Sequence, residues 1–141
     1  MPRVLLKIMV RLICQMASRT ILLVDDDPLI RQLGGELLGH LGFRVATAGD
    51  ASQALEAFHS LDRVDLVILD YHLPGMDGHR LLQKLKGLDA GVRVLMASGF
   101  LSIREATRLL ESGVQGIICK PFRLVELQPL LQALMGTAFG D

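Results

Sequence analysis

Aromatic residues are scarce in this chain. Only 4% of its 141 residues are Phe, Trp or Tyr, although half are apolar, so the core must be built from Leu, Val, Ile and Ala. The chain also lacks net charge, since fifteen Lys and Arg balance fifteen Asp and Glu. A nucleic-acid-binding surface needs a basic excess on one face, so no nucleic-acid partner is expected. A chain of this length is expected to form one domain with room for a core.

Cysteine is scarce as well. Cys14 and Cys119 lie far apart, and no His/Cys pair has the spacing of metal ligands, so a site for a soft metal is not expected. We expect two reduced, buried thiols in a cytoplasmic protein. The chain also lacks a Gly-x-x-x-x-Gly-Lys-Ser/Thr loop, which argues against a nucleotide phosphate site.

Residues 1–19 lack the long uninterrupted apolar run that a membrane span or a secretory signal requires. Their polar positions are spaced by four and are Arg3, Lys7, Arg11 and Gln15. This spacing predicts an amphipathic helix with a narrow polar stripe. Such a helix can pack on its own domain, on a partner or on a membrane surface. We favour packing on protein, so membrane binding is not expected. A homodimer is one form that such packing could take. Alternatively, the protein begins at Met16. In either case residues 20–141 are expected to form the domain.

The rest of the chain alternates strand and helix patterns. Strands are predicted at Thr20–Val24, Phe43–Thr47, Asp65–Leu69, Val92–Met96 and Gln115–Cys119. Helices are predicted from Pro28, from Asp50 or Ser52, from Gly78, from Ser102 and from Arg123, with a kink or frayed turn at Pro129. Five strands alternating with five helices predict a doubly wound α/β fold with a parallel sheet.

Charged residues follow three of the predicted strands. Asp25, Asp26 and Asp27 follow the first strand, Asp70 follows the third, and Lys120 follows the fifth. Ligands of doubly wound sheets bind beyond the carboxyl ends of the strands, and in the order 2-1-3-4-5 the first and third strands are neighbours. Clustered carboxylates repel one another, and Mg²⁺, which prefers oxygen ligands, relieves this repulsion. An ionised Asp70 can act as a nucleophile without a base, while Lys120 neutralises phosphoryl oxygens.

Four sequence blocks resemble the receiver domain of bacterial two-component response regulators. They are Ile21–Pro28, Leu69-Asp70 with Leu73–Gly78, Ala97-Ser98-Gly99 and Lys120-Pro121-Phe122. The resemblance covers Thr20 to about Met135. As a single receiver domain, the chain is similar to the chemotaxis receivers. The resemblance implies a flavodoxin-like fold with strand order 2-1-3-4-5 and five flanking helices, to which residues 1–19 add an extension.

The resemblance also implies roles for individual residues. Asp70 would be the phosphoacceptor, and Lys120 would contact the phosphoryl group. Asp26, Asp70 and the main-chain carbonyl of His72 would hold Mg²⁺, with Asp25 acting mostly through water. Ser98 would supply the hydroxyl that moves to the phosphoryl group and shifts the surface of the fourth helix, fifth strand and fifth helix.

Three positions depart from the family pattern or vary within it. Ile117 stands where the family often has an aromatic ring that swings inward, so a ring-based readout is not implied here. His72 and Phe100 occupy variable places that influence how fast the phosphoryl group is lost. Our hypothesis is that these two side chains shield the acyl phosphate from water.

The resemblance implies a signalling switch rather than a turnover enzyme. Its phosphodonor would be a sensor histidine kinase or a phosphotransfer protein, and it would signal by altered protein binding or by phosphorelay. Two other functions stay open: an interaction module that is never phosphorylated, and a Mg²⁺-dependent aspartyl phosphatase. Phosphatases of that class usually have a second acid two residues after the nucleophile, where this chain has His72.

Overall fold

A computed structural model of the protein describes residues 2–17 and 19–135, with no account of side chains 11–17. The helices are α1 (Arg3–Ala17), α2 (Pro28–His40), α3 (Ala51–Ser60), α4 (Gly78–Leu88), α5 (Ile103–Glu111) and α6 (Leu124–Met135). The strands are β1 (Thr20–Val24), β2 (Arg44–Ala48), β3 (Leu66–Asp70), β4 (His72–Leu73), β5 (Met76–Asp77), β6 (Val94–Ser98) and β7 (Gly116–Cys119).

Five strands form one parallel sheet in the order β2-β1-β3-β6-β7. Counted along the chain without the short β4 and β5, this is the expected order 2-1-3-4-5. The register pairs Val24 with Leu69 across β1 and β3, and Asp70 with Ala97 across β3 and β6. The carboxyl ends of β1, β3 and β6 therefore lie side by side, with β7 next to β6.

The sheet has an apolar core on each face. The core on one face includes side chains from α3, α4 and α5, and the core on the other includes side chains from α2 and α6. All five residues of β3 are buried, as the run Leu66–Leu69 without polar alternation predicts for a central strand of a parallel sheet. This burial fixes the last residue of the strand, Asp70, at the edge of the core.

Side-chain caps set where the helices begin. Asp27, Asp50 and Asp77 each accept a hydrogen bond from a main-chain N–H in the first turn of α2, α3 and α4. Ser102 and Glu105 form a reciprocal capping box at the start of α5. The structure selects Asp50 where the sequence left Asp50 or Ser52 open. The acidic loop after β1 both caps α2 through Asp27 and carries Asp25 and Asp26.

Several sequence predictions need correction. Strands β2, β3 and β6 begin one or two residues later than predicted, and β7 begins one residue later. The antiparallel pair β4–β5, with Gly75 at φ +75° in its turn, was not predicted because two-residue strands carry no periodic signal. Helix α6 continues through Pro129 to Met135. Cys119 is exposed rather than buried, since it lies at the end of the edge strand, and the side chain of Cys14 lies outside the described residues.

His79 is buried. Arg108 Nη2 lies 3.0 Å from His79 Nδ1, and Ser112 Oγ lies 2.7 Å from His79 Nε2. Because a guanidinium can only donate, this geometry requires a neutral imidazole that carries its proton on Nε2. The ring therefore joins α4 to the end of α5, which has one fully buried side chain, Leu109.

Candidate functional site

The candidate site is built by loops and strand ends at the carboxyl edge of the sheet. Asp25 and Asp26 directly follow β1, Asp70 is the last residue of β3, and Ser98 is the last residue of β6. Lys120 directly follows β7, and its peptide bond to Pro121 is cis. Four neighbouring strand ends thus bring together residues that are up to 95 positions apart in the sequence.

Three carboxylates form a tight cluster at this edge. One oxygen each from Asp25, Asp26 and Asp70 lie within 4.8 Å of one another. Asp25 and Asp70 are buried, with 1% and 4% of their surface exposed, whereas Asp26 is exposed. Two buried acids side by side are unfavourable unless positive charge lies near them.

Lys120 supplies that positive charge. Its Nζ lies 2.5 Å from Asp25 Oδ2 and 3.1 Å from Asp70 Oδ2. The main-chain N–H of Lys120 donates to the carbonyl of Ser98 at 3.0 Å, which anchors the residue to the end of β6. The ammonium group is therefore held between the two buried carboxylates.

Hydrogen bonds from neighbouring residues fix the acid-bearing loops. The N–H of Asp27 donates to Asp25 Oδ1 at 2.9 Å, and Arg31 Nη1 donates to the Asp25 carbonyl at 2.8 Å. The N–H of His72 donates to Asp70 Oδ1 at 3.1 Å, so one Asp70 oxygen faces the main chain and the other faces Lys120. Sequence analysis did not single out Arg31, because nothing in the sequence shows that its side chain reaches back to the end of β1.

The pKa values follow from this arrangement. Burial raises the pKa of the Asp70 carboxyl above its ordinary value, although the bonds from His72 and Lys120 oppose the rise. Burial works to lower the pKa of Lys120, but the bonds to Asp25 and Asp70 together outweigh it, so this pKa is raised. The ammonium form of Lys120 is therefore favoured, while ionised Asp70 is stabilised only in part.

Ser98 is buried, and its hydroxyl is engaged with the following loop. Ser98 Oγ donates to the Phe100 carbonyl at 2.8 Å and accepts from the Phe100 N–H at 3.1 Å. Any movement of this hydroxyl toward Asp70 must break both bonds. The loop that leads into α5 is thus tied to the Ser98 side chain.

The positions predicted to tune the site differ in exposure. The side chain of Phe100 is 78% exposed, and His72 is exposed with its ring at 90° to the Tyr71 ring, centroids 4.9 Å apart. Ile117 packs partly buried against the core on the α3, α4 and α5 face. Neither Phe100 nor His72 is buried by other parts of the protein, so both side chains face solvent near the strand ends.

Two further contacts near Asp70 were missed by sequence reasoning. A Cβ on Gly78 would lie 2.8 Å from Tyr71 Cα and 3.1 Å from the Asp70 carbonyl oxygen, so any other residue here would force the end of β3 or α4 to shift. Tyr71 is buried, and burial together with the neighbouring Glu105 carboxylate of α5 raises the pKa of Tyr71. The sequence marked Gly78 only as a helix start and gave no signal for the Tyr71 contact.

The donor set suits a hard divalent cation. Three carboxylate oxygens lie within 4.8 Å of one another, and an all-oxygen set of this kind suits Mg²⁺, which takes oxygen ligands and keeps several waters. No other group of three or more His, Cys, Asp or Glu with this spacing occurs among residues 2–17 and 19–135. A cation here would add to the positive charge of Lys120 and relieve the repulsion between the acids.

Comparison with known proteins gives the family. The family model of the response regulator receiver domain matches residues 21–132, and the chain belongs to this family. The chain is similar to the DNA-binding response regulator MtrA of Mycolicibacterium smegmatis, with 40% identity over 113 residues, which are 80% of this chain and 49% of that protein. It also resembles the crystal structure of the chemotaxis protein CheY4 of Vibrio cholerae, with a TM-score of 0.78, 28% identity, and coverage of 82% of this chain and 98% of that one.

The curated relatives are longer than the region they share with this chain. The sensor histidine kinase RcsC of Salmonella typhi is 37% identical over 111 residues, which are 79% of this chain but 12% of the kinase. The chain thus spans about an eighth of that relative and half of MtrA. What is common to all is the receiver domain, a phosphorylatable signalling switch that is generally not a turnover enzyme, that binds Mg²⁺ in an acidic pocket and that interacts with sensor histidine kinases and downstream effectors.

Proposed function

We propose that the protein receives a phosphoryl group on Asp70 from a phosphohistidine of a sensor kinase or of a phosphotransfer protein. The observation that carries this proposal is the position of Asp70: it is buried at a strand end, 3.1 Å from Lys120 Nζ and within 4.8 Å of two further acids. In the transfer, an Asp70 oxygen attacks phosphorus, and the phosphorus–nitrogen bond to the donor histidine breaks. The imidazole leaves with the bonding electrons, and an acyl phosphate remains on Asp70.

The residues around Asp70 have separate tasks in this proposal. Asp25, Asp26, Asp70 and the main-chain carbonyl of His72 would hold Mg²⁺, which supplies positive charge to the phosphoryl oxygens. Lys120 adds a second positive charge that stays in place, because its raised pKa keeps it protonated at neutral pH. Electrostatic neutralisation and positioning account for most of the acceleration of phosphoryl transfer, so no general base is required.

Ser98 would report the reaction to the surface. When its hydroxyl turns to the new phosphoryl group, it gives up both hydrogen bonds to the Phe100 main chain, which frees the loop before α5. The surface of α5, β7 and α6 would then change its affinity for a downstream partner, or the phosphoryl group would pass on in a relay. Large apolar side chains already face solvent there, since Ile103 is 87% exposed and Val125 is 78% exposed.

Intact-mass spectrometry tests the acceptor directly. The protein is incubated with Mg²⁺ and acetyl phosphate, whose phosphorus–oxygen bond to acetate breaks as Asp70 attacks. We expect one labile phosphoryl adduct on the wild type and on Asp62→Asn, a matched control in which an exposed acid is changed. The adduct should be absent from Asp70→Asn.

Each other outcome points to a different function. If no variant takes up a phosphoryl group with Mg²⁺, the protein is an interaction module with the receiver fold, and the proposal is wrong. Continuous turnover of phosphate esters without a persistent adduct would instead identify an aspartyl phosphatase.

A further inference from the structure

Helix α1 exposes apolar side chains along the part whose side chains the structure describes. Residues 2–10 are all exposed, and the large apolar side chains among them are 41–69% accessible: Val4, Leu5, Leu6, Ile8, Met9 and Val10. Consecutive exposed apolar residues on a helix mark a binding surface in a natural protein. The sequence alone favoured packing on protein, but the described part of α1 does not bury its apolar side on the receiver domain.

The apolar surface of α1 is wide. At 100° per residue, Arg3, Lys7, Arg11 and Gln15 span about 120° of the helix circumference, which leaves about two thirds of it mainly apolar. A second helix covers only a narrow seam of its partner, formed by two positions in every seven. A lipid surface covers a much wider arc, because acyl chains surround the embedded side and long basic side chains reach back to the headgroups.

The charge of the amino-terminal residues, which include α1, favours binding to an anionic surface. Four of the fifteen basic residues of the chain lie in its first 24 residues, and none of the fifteen acidic residues does. The remaining residues have an acidic excess, with eleven basic against fifteen acidic side chains. An anionic membrane would therefore attract α1 and repel the domain, which orients the molecule with its helix toward the lipid.

We propose that α1 binds the surface of an anionic membrane and lies in the plane of the interface. Its 15 residues are too few to cross a bilayer, and no helix in residues 2–17 or 19–135 is long and apolar enough to do so. Leu5, Leu6 and Met9 would insert among the acyl chains, while Arg3 and Lys7 would stay at the phosphate level. The receiver domain would then be concentrated at the membrane whether or not Asp70 is phosphorylated.

Vesicle co-sedimentation of the full chain tests the proposal. The probes are vesicles of phosphatidylcholine alone and of phosphatidylcholine with phosphatidylglycerol. We expect binding to the anionic vesicles, weak binding to the neutral ones, and loss of binding when Met9→Glu places a charge at the centre of the apolar side. Leu110→Glu is the matched control, since Leu110 is a 57% exposed apolar residue on α5, and it should bind as the wild type does.

The basic stripe has its own test. The double variant Arg3→Gln, Lys7→Gln should bind anionic vesicles on the order of twentyfold more weakly, since each basic residue near such a surface strengthens binding roughly fivefold. Equal binding of Met9→Glu and wild type would overturn the proposal. So would a wild type that binds neither kind of vesicle but sediments as a dimer that Met9→Glu dissociates, because the occupant of α1 would then be a second copy of the chain. Neither result depends on phosphorylation of Asp70.

Discussion

At the scale of single residues, burial and the neighbouring hydrogen bonds have opposite effects on the pKa of Asp70. Burial raises its pKa, and the ordinary value of its carboxyl is 3.8. The folded protein therefore holds a proton on Asp70 to higher pH than the unfolded chain does. Stability falls as pH rises from the ordinary value through the raised folded value, because above it the fold must contain a buried anion.

We therefore predict that Asp70→Asn unfolds at a higher temperature than the wild type at pH 7 in Mg²⁺-free buffer. The gain should shrink as pH falls below the raised pKa, where the wild-type carboxyl becomes neutral as well. Scanning calorimetry at several pH values measures it. A lower melting temperature for Asp70→Asn at pH 7 would show that the Lys120 contact outweighs burial.

Ser98 connects the site to the main chain of Phe100. We predict that amide hydrogen exchange at Phe100 accelerates when wild-type protein is phosphorylated, because its N–H loses the 3.1 Å bond to Ser98 Oγ. In Ser98→Ala the same amide should exchange fast from the start and should not respond to phosphorylation. Exchange that is equal in the two unphosphorylated proteins would exclude Ser98 as the link.

The shielding hypothesis concerns His72 and Phe100. If their side chains keep water from the acyl phosphate, His72→Ala and Phe100→Ala should each lose the phosphoryl group roughly tenfold faster, which corresponds to about 1.4 kcal/mol of barrier. The decay of the intact-mass adduct measures this rate. Val125→Ala, at an exposed position on α6, is the control. Unchanged decay in both variants would refute the hypothesis.

At the scale of elements, the start of α4 lies close against the end of β3, and Gly78 allows this because it has no side chain. We predict that Gly78→Ala lowers the free energy of unfolding by about 1–3 kcal/mol, as forced overpacking does. The new methyl group would have to displace backbone of Tyr71 and Asp70. Urea titration measures the change.

Gly35→Ala is the matched control for that substitution. Gly35 lies inside α2, and a Cβ there would meet no atom within 4 Å. This variant should gain up to about 1 kcal/mol from helix propensity. If Gly78→Ala lowers the free energy of unfolding and Gly35→Ala raises it, the loss at Gly78 comes from its contact with β3 and not from replacing a helical glycine as such.

Helix α5 has few apolar anchors in the core. Its one fully buried side chain is Leu109, and polar contacts hold both ends: the capping box of Ser102 and Glu105 at the start, and the Arg108–His79–Ser112 contacts at the end. Polar contacts can be exchanged without opening an apolar core. This attachment suits our proposal that α5 moves when Ser98 turns to a phosphoryl group.

At the scale of the whole molecule, cation binding and stability are linked. We predict that Mg²⁺ raises the melting temperature of the wild type, since a ligand at a hundredfold excess over its Kd adds about 2.7 kcal/mol to the folded state. The rise should be much smaller in Asp26→Asn, which removes an exposed acid of the cluster, and unchanged in Asp62→Asn. Equal shifts in all three proteins would show that the ion acts elsewhere.

Much of the fold was predictable from the sequence, because burial on both faces leaves a plain trace. The run Leu66–Leu69 has no polar alternation, and Pro28 follows an acidic cap, so the central strand and the start of α2 were predicted within a residue or two. The parallel sheet and its order followed from the alternation of strands and helices and from the resemblance to receivers. The short β4–β5 pair had no such trace.

The sequence by itself determined which chemistry is available: acids after β1 and at the end of β3, and one lysine after β7. Chain connectivity and hydrophobic patterning are enough for this, because parallel strands bring their carboxyl ends to one edge. Only the tertiary structure decided how the site is held together, through the reach of Arg31 to Asp25 and the two bonds between Ser98 and Phe100. It also decided which side chains are covered, as the burial of His79 and the exposure of α1 show. Each of these depends on side-chain directions set by packing between distant segments, which no local pattern encodes.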